Sequence, residues 1–528
     1  MPRESLNTDR KGRAHAQTTR PSVAIIQSRF LKCGCANRDN RNHAMDLNLV
    51  TRSPPYPSLV RAVRTSLADM TSRFPLALIL FLLSGLAGFA APSGRPNIVF
   101  VLVDDMGYAD LGCYGGKDIR TPHIDRLARE GMRFTNFYAN APVCTPTRCG
   151  FITGRWQQRV GLEWAFGFTA EAFRRRGNEW VKETDMHSIG LPTTVPTLPK
   201  LLKTAGFATG AFGKWHLGYR DEFNPTKHGF DEYFGELLGH SDYYTHQYYD
   251  GTYALRDGLK PVKVEGYLTD LINQRATQFI RTHATAPAGA RQPFFLYVPH
   301  LAVHCPFQPP GRPKPSVSKE GMYNGTRSDY AAMLEKVDEG VGMMLAELER
   351  HGLLDNTLFV LSSDNGGERL SDNGPLAHKK STLWEGGIRV PCVMRWPEKL
   401  PMGKVTSQPA ITMDLSATFA TIAGAKPADG QSFDGTNLLP LLTGEEPARD
   451  RTFFWRIDRS SRKQKAVRHG NWKYLQDGNI EMLFNLSEDL GERHDLYRLH
   501  PQVMADLKQR LAAWESEMGR HEPEFLVK

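Results

Sequence analysis

Residues 95–115 read RPNIVFVLVDDMGYADLGCYG. Ile98 to Val103 are six consecutive apolar residues, three of them valine. A run with no polar alternation fits a strand covered on both faces, the situation of a parallel sheet between helices. It stops at Asp104 and Asp105, and ligands in open α/β sheets bind beyond the carboxyl ends of strands. One stretch thus predicts a fold class and the sheet edge at which to look for a site.

Working outward, TPHIDRLAREG (121–131) reads as a helix with Pro122 in its first turn and Gly131 at its close. TVPTLPKLLKTAG (194–206) predicts a helix, FATGAFGKWHLG (207–218) a strand and loop, and PFFLYVPH (293–300) a strand. SDYAAMLEKVDEGVGMMLAELERHG (328–352) predicts a long amphipathic helix and TLFVLSSDNGG (357–367) a strand and loop. Strands alternating with helices indicate a doubly wound α/β domain, assigned to 95–425. After that RTFFWRI, KAVRHGNWKYLQDG and EMLFNLSED look like short strands, with hairpin turns at His469-Gly470 and Asp477-Gly478. With the helical PQVMADLKQRLAAWESEMG they predict a small α+β domain with an antiparallel sheet over 435–528. The Gly-, Ala- and Pro-rich AGAKPADGQSFDG (423–435) marks the boundary.

The 528 residues, 40% hydrophobic, carry a net charge of +9, but the charge is not spread evenly. Residues 1–69 hold twelve Lys or Arg against five Asp or Glu. Then Met70, Arg73, an apolar run from Phe74 to Ala90 and the small residues Gly88 and Ala90 form the pattern of a signal peptide, assigned to 70–90. As a membrane span the run is short and interrupted by Ser84, Gly85 and Gly88. Residues 1–69 read as a disordered basic leader or an over-extended start. Removing 1–90 leaves a charge of +1, which takes away the support for a nucleic-acid partner. The expectation is an exported protein, periplasmic or extracellular, or lysosomal or secretory in a eukaryote, with no stable membrane insertion.

Five cysteines remain, Cys113, Cys144, Cys149, Cys305 and Cys392, with no finger spacing that would suggest structural zinc. An oxidising destination permits a disulfide, and no spacing selects a pair. Asp104-Asp105 and Asp364-Asn365 both follow apolar strands. Together they would bring three carboxylates and an amide to one sheet edge, a donor set for a hard cation, Ca²⁺ or Mg²⁺. Alone, each pair is equally a turn or a helix cap.

CTPTR (144–148) with TGR (153–155) resembles the C-x-P-S/T-R…TGR signature of the type I sulfatases, arylsulfatase-like members of the alkaline phosphatase-like superfamily. GKWHLG (213–218), HGFDEYFG (228–235), PHLAVHCPFQ (299–308), SSDNGG (362–367), KKSTLWEGGIRVP (379–391) and LFNLSEDLGERHDL (483–496) resemble further family blocks in the family's order. The resemblance covers about Pro96 to Tyr497 and implies a mixed, doubly wound sheet flanked by helices, with a smaller C-terminal α+β domain.

It also implies a sulfuric ester hydrolase in which Cys144 is a precursor, oxidised to formylglycine (3-oxoalanine) by a formylglycine-generating enzyme. One hydroxyl of the hydrated aldehyde attacks sulfur, and loss of a proton from the other lets sulfate leave. By the same resemblance Asp104, Asp105, Asp364 and Asn365, with the modified Cys144, hold the cation, Ca²⁺ first and Mg²⁺ as the alternative. Arg148 neutralises the diol or the carboxylates, and a helix beginning at Pro146 would add its amides. Lys214 and His216 lie near the diol, His216 as base. His304 and Lys380 contact sulfate and the leaving oxygen, with His304 as acid and Lys379 a rival to Lys380.

Thr147, Cys149 and Cys305 depart from the family's usual residues, and Cys149 is either a small hydrophobe or a partner for Cys113. The tyrosine-rich ELLGHSDYYTHQYYDG (236–251) is either a stacking surface for a sugar or aryl group or a self-packed loop. Asn324 and Asn485 head glycosylation sequons. The substrates implied are sulfated carbohydrates or aryl sulfates. The alternatives are a phosphonate monoester or phosphodiester hydrolase of the same superfamily, and an inactive binder of sulfated glycans.

Overall fold

The computed structural model describes residues 94–519, apart from 166–171, 177–178, 184–187, 249, 288–289, 314–320, 429 and 460–461. The leader and signal segments assigned to 1–69 and 70–90 lie outside these residues. Within them, no helix is long and apolar enough to cross a membrane.

Strand β1 (Asn97–Val103) is the opening run, and each of its apolar residues is buried. Val99, Val101 and Val103 enter one core cluster while Ile98, Phe100 and Leu102 enter another. That two-sided burial is why the sequence shows no alternation. At about 1.5–3 kcal/mol for each large aliphatic or aromatic side chain removed from water, these six residues anchor the fold.

In chain order the other strands of the main body are β2 (Met132–Phe134), β3 (Phe137–Tyr138), β4 (Ala172–Arg176), β5 (Glu179–Glu183), β6 (Ala208–Phe212) and β7 (Glu232–Glu236). They continue with β8 (Leu255–Asp257), β9 (Lys260–Pro261), β10 (Phe294–Pro299), β11 (Thr357–Ser363), β12 (Cys392–Arg395), β13 (Lys404–Thr406) and β14 (Ala410–Ile411). Nine of them join β1 in one ten-stranded sheet in the order β13-β2-β12-β11-β1-β10-β6-β7-β8-β9. The central β11-β1-β10-β6-β7 are parallel, while β12 and β8 pair antiparallel at their flanks. The sheet is therefore mixed. β3 pairs with β14, and β4 with β5.

The helices predicted over 121–131, 194–206 and 328–352 occupy Pro122–Arg129, Leu198–Thr204 and Arg327–Arg350. The last opens on a capping box, in which Thr326 Oγ1 accepts from Asp329 N and Asp329 Oδ2 accepts from Thr326 N.

The C-terminal sheet is β15 (Thr452–Arg459), β16 (Arg462–His469), β17 (Trp472–Asp477) and β18 (Ile480–Asn485), in sequence order and antiparallel. Its turns fall one residue later than predicted, because Gly470 and Gly478, at φ 55° and 59°, take the first turn position. Trp455, Leu475, Leu507 and Trp514 share one core with Tyr138, Leu383 and Ile388 from the preceding chain.

Burial pushes the imidazoles of three of the buried histidines down to about 3: His228, with Lys200 adding, His240, with Lys214 adding, and His300. A base whose pKa is depressed on folding contributes stability present above its unfolded value of about 6.5 and lost as pH falls toward 3. Each group supplies a slope of about 1.4 kcal/mol per pH unit in that window. Thermal unfolding should occur at steadily lower temperature between pH 6.5 and 4. His300→Leu should flatten that dependence, whereas an unchanged slope would mean that the ring is already charged in the fold.

Candidate active site

Adjacent parallel strands deliver the site residues at their carboxyl ends. β1 and β11 pair in register up to Val103 and Ser363, so Asp104-Asp105 and Asp364-Asn365 emerge side by side. β6 leads into Lys214 and His216, β10 into the loop carrying His304, and β7 ends at Glu236. Lys214 is drawn against β10 by its N–H donating to Pro299 O at 2.7 Å. The preceding Gly213 permits this close approach: its φ is 132°, and a Cβ there would lie 2.0 Å from the same carbonyl.

The helix Cys144–Thr153 closes the site from above the sheet edge, with every residue buried. It starts two residues earlier than the predicted Pro146, because Val143 is extended and Cys144 itself takes helical geometry. Pro146 still falls in the first turn, where its missing N–H costs nothing. Arg148 follows one turn after Cys144 on the same face. The Thr147 hydroxyl donates to Ala141 O at 2.9 Å and accepts from Ala141 N at 3.0 Å, locking the entry to the helix.

At the centre, Arg148 Nη2 lies 2.7 Å from Asp104 Oδ2 and 2.8 Å from Asp364 Oδ2, while its Nη1 donates to Lys214 O at 2.6 Å. Lys214 Nζ is 2.5 Å from Asp104 Oδ2, and Lys380 Nζ is 2.6 Å from Asp105 Oδ1. Both ammoniums, and Asp104 Oδ1, are 3.6 Å from Cys144 Sγ. Lys379 instead pairs with Glu368 at 2.8 Å and is half exposed. His304 Nε2 faces Asp105 Oδ2 at 3.8 Å, and its Nδ1 donates to Cys305 O at 2.6 Å. His216 is buried, with Thr145 Oγ1 donating to its carbonyl at 3.0 Å. Asp105 and His216, at φ 60° and 57°, hold left-handed backbone, each a cost of order 1–3 kcal/mol that the surrounding packing must offset.

Burial and the neighbouring charges together set the protonation states here. It pushes the Cys144 thiol up to about 12, with the Asp104 charge adding and Lys214 and Lys380 opposing. A thiol so placed is protonated at neutral pH and is no thiolate nucleophile. Burial also works against ionised Asp104, but the Lys214 and Arg148 cations override it and hold that carboxyl far below the usual range. His216 and His304 are held neutral by burial and by the neighbouring Lys214.

Asn365 Nδ2 donates to Asp105 Oδ1 at 2.7 Å, but its buried Oδ1 has no hydrogen-bond partner among the described residues. Asp104, Asp105, Cys144 and His304 present donor atoms all within 4.8 Å of one another. An orphaned amide oxygen beside converging carboxylates fits a hard divalent cation. His304 in that group was not foreseen as a ligand.

The sequence reading passed over Glu236, a buried carboxyl pushed up to about 7 by burial, with Lys214 opposing. It sits at the strand end preceding the tyrosine-rich stretch. That stretch packs inward. Tyr243 is buried, stacks on Tyr267 at 5.6 Å and donates from its hydroxyl to His304 O at 2.9 Å. Gly239 abuts the His216 ring, where a Cβ would lie 2.6 Å from Cε1. The segment is thus a wall of the site, and its buried tyrosines are not a stacking surface. All five cysteines are free, so the Cys113–Cys149 pairing is not formed, and Cys149 is a small apolar residue in the core.

The mixed sheet thus brings three carboxylates, an amide and the N-terminus of a buried helix to one strand edge. Comparison with known proteins gives the family. The Sulfatase family model matches residues 96–425, and the model for the C-terminal part of N-sulphoglucosamine sulphohydrolase matches 377–517. N-acetylgalactosamine-6-sulfatase of Rattus norvegicus is 37% identical over 384 residues, covering 69% of each chain. Arylsulfatase J of Mus musculus is 31% identical over 487 residues, covering 81% of this chain and 76% of the relative. The solved structure of Ps i-CgsB superposes with a TM-score of 0.72 at 33% identity, covering 82% of this chain and 95% of that one. The chain belongs to the sulfatase family and is a sulfuric ester hydrolase.

Proposed function

We propose that this sulfatase hydrolyses sulfate esters of carbohydrates through a formylglycine made from Cys144 and a bound divalent cation. The observation that carries the reading is position 144 itself, a neutral buried thiol at a helix N-terminus with the Lys214 and Lys380 ammoniums each 3.6 Å away. When present, the hydrated formylglycine supplies the attacking oxygen, and the cation, Ca²⁺ or Mg²⁺, held by Asp104, Asp105, Asp364 and Asn365, supplies positive charge to the sulfate oxygens.

The rest falls to the chain's own groups. Arg148 helps keep Asp104 ionised and orients both Asp104 and Asp364. Lys214 and Lys380 donate to sulfate oxygens, and desolvation strengthens both contacts. Neutral His216 accepts the proton that must leave position 144 for sulfate to depart. His304 and Lys380 flank the leaving oxygen. The Nδ1 proton of His304 is tied to Cys305 O, so its acid role uses a proton on Nε2.

Substrate class rests on the relatives, among them sulfatases named for N-acetylgalactosamine 6-sulfate, and Ps i-CgsB solved with k-i-k-neocarrahexaose. We further propose that a formylglycine-generating enzyme matures the chain, that 70–90 directs export, that 95–425 carries the chemistry, and that 435–528 forms a supporting subdomain.

Two measurements test this. The tryptic peptide Phe134–Arg148 from a competent host should be about 18 Da lighter than its thiol form. Exhaustive chelation should abolish turnover, with Ca²⁺ or Mg²⁺ restoring it. Full activity with an intact thiol at Cys144 would sink the mechanism, and higher activity on a phosphonate monoester than on 4-nitrophenyl sulfate would sink the substrate class.

A further inference from the structure

Lys380 stands in a loop whose backbone is unusual. His378 and Ser381, on either side of the lysine pair, hold left-handed φ values of 59° and 69°. Neither is glycine, so the conformation persists only where surrounding contacts over-determine it. From the catalytic body, Lys380 N donates to Gly367 O at 3.1 Å and Ser381 N to Pro142 O at 2.9 Å, the latter two residues before Cys144.

The other contacts come from the C-terminal sheet and the loop after it. Arg462, on β16, donates from Nη1 to Ser381 O at 2.5 Å. Gln464, two residues on, accepts from Leu383 N at 2.8 Å. Glu492 accepts from Glu385 N at 2.6 Å. Lys473, on β17, places its ammonium 2.8 Å from Glu385 Oε1 and 2.7 Å from Glu492 Oε1. Lys473, Glu385 and Glu492 are all buried. Trp384, between these points, packs its ring on Phe484 of β18 at 5.7 Å. The backbone of residues 381–385 is thus gripped at three points by side chains from beyond residue 460.

We propose that the C-terminal sheet is a positioning element of the active site, in which Arg462, Gln464 and the Lys473–Glu492 pair hold the loop that aims Lys380 at the leaving oxygen. The inference rests on the role given to Lys380 above. Packing alone would need only apolar contacts between the two parts. Directed hydrogen bonds to the backbone of Ser381, Leu383 and Glu385, beside a reactive lysine, fix orientation as well. Misplacing a reacting group by about 1 Å costs up to about 100-fold in rate.

The test uses the full mature chain with Arg462→Ala, Gln464→Met and their double variant, because Arg462 is exposed and Gln464→Met conserves volume. Lys473→Met is avoided as the lead, since unpairing two buried carboxylates threatens the fold. The probes are a 6-O-sulfated N-acetylhexosamine, whose alkoxide leaves poorly, and 4-nitrophenyl sulfate, whose phenolate leaves readily. For the double variant kcat on the sugar sulfate should fall about tenfold or more and on the aryl sulfate less than about threefold, with KM and unfolding temperature nearly unchanged. Arg462→Lys should restore most of the Arg462 share. In a Lys380→Ala background the same changes should cost nothing further, because they act through that lysine.

Equal losses on both probes, no loss in the double variant, or a full additional loss in the Lys380→Ala background would overturn the proposal. A Lys380→Ala enzyme with no preference between leaving groups would overturn only the role given to Lys380, since the additivity measurement judges the clamp independently.

Discussion

Cys144→Ser protein is expected to turn over at most once per site and to gain about 80 Da on the introduced serine. The substitution keeps a hydroxyl at the helix N-terminus between Lys214 and Lys380, so sulfur can still be attacked. A serine ester carries no second hydroxyl on the same carbon and cannot expel sulfate by forming a carbonyl. Turnover should fall to background after a stoichiometric burst, read together by product release and intact mass. Sustained multiple turnover would show ordinary ester hydrolysis and exclude the diol route.

His304→Ala should behave in the opposite way, accumulating no adduct and losing about 10²- to 10⁴-fold on a sugar sulfate but much less on 4-nitrophenyl sulfate. The reason lies in the ring's surroundings. Burial, Lys214 and Lys380 all disfavour the imidazolium, and Cys305 O holds the Nδ1 proton, so an acid role requires the negative charge of a bound ester to favour protonation at Nε2. A departing phenolate needs little help from an acid and an alkoxide needs much. Equal losses on both substrates would remove His304 from the acid role and pass it to Lys380, whose ammonium is held protonated by Asp105 although burial opposes it.

What the sequence disclosed follows from what each segment buries. β1 and β11 are covered on both faces, so they stand out as unbroken apolar runs, and the acids ending them mark the site. The helix Arg327–Arg350 has one wet face and a capping box, so both its period and its start are visible. The helix Cys144–Thr153 is buried all round and shows no amphipathic period, which is why its start was misplaced by two residues. β2, β3, β13 and β14 are two or three residues long, too short for any periodicity to register. The tyrosines at 243–248 left two readings open because their amphipathic character suits a sugar platform and a hydrogen-bonded core equally well. Lys380 lies in a loop, and Glu236 ends a short strand whose last four residues are all buried, so neither shows a periodic pattern. The first was reachable only through family resemblance, and the second carried no signal at all. The grip of Arg462 and Gln464 on residues 381–383 joins segments some eighty positions apart, which no local pattern can announce.

Cys144 is 2% exposed, at the head of a helix that is itself wholly interior. Under the proposed maturation, a modifying enzyme would reach that sulfur only while the helix is unmade, so conversion and folding would be competing first-order exits from the same nascent chain. The active fraction is then a branching ratio, the rate of oxidation divided by the summed rates of oxidation and closure. Rapid synthesis in a cell with little converting enzyme would yield abundant, well-packed protein with an ordinary unfolding temperature and no activity. Because the thiol is sealed once the core forms, such molecules are dead ends. Yield of folded protein and yield of enzyme become separate quantities, and slowing closure raises the second without touching the first.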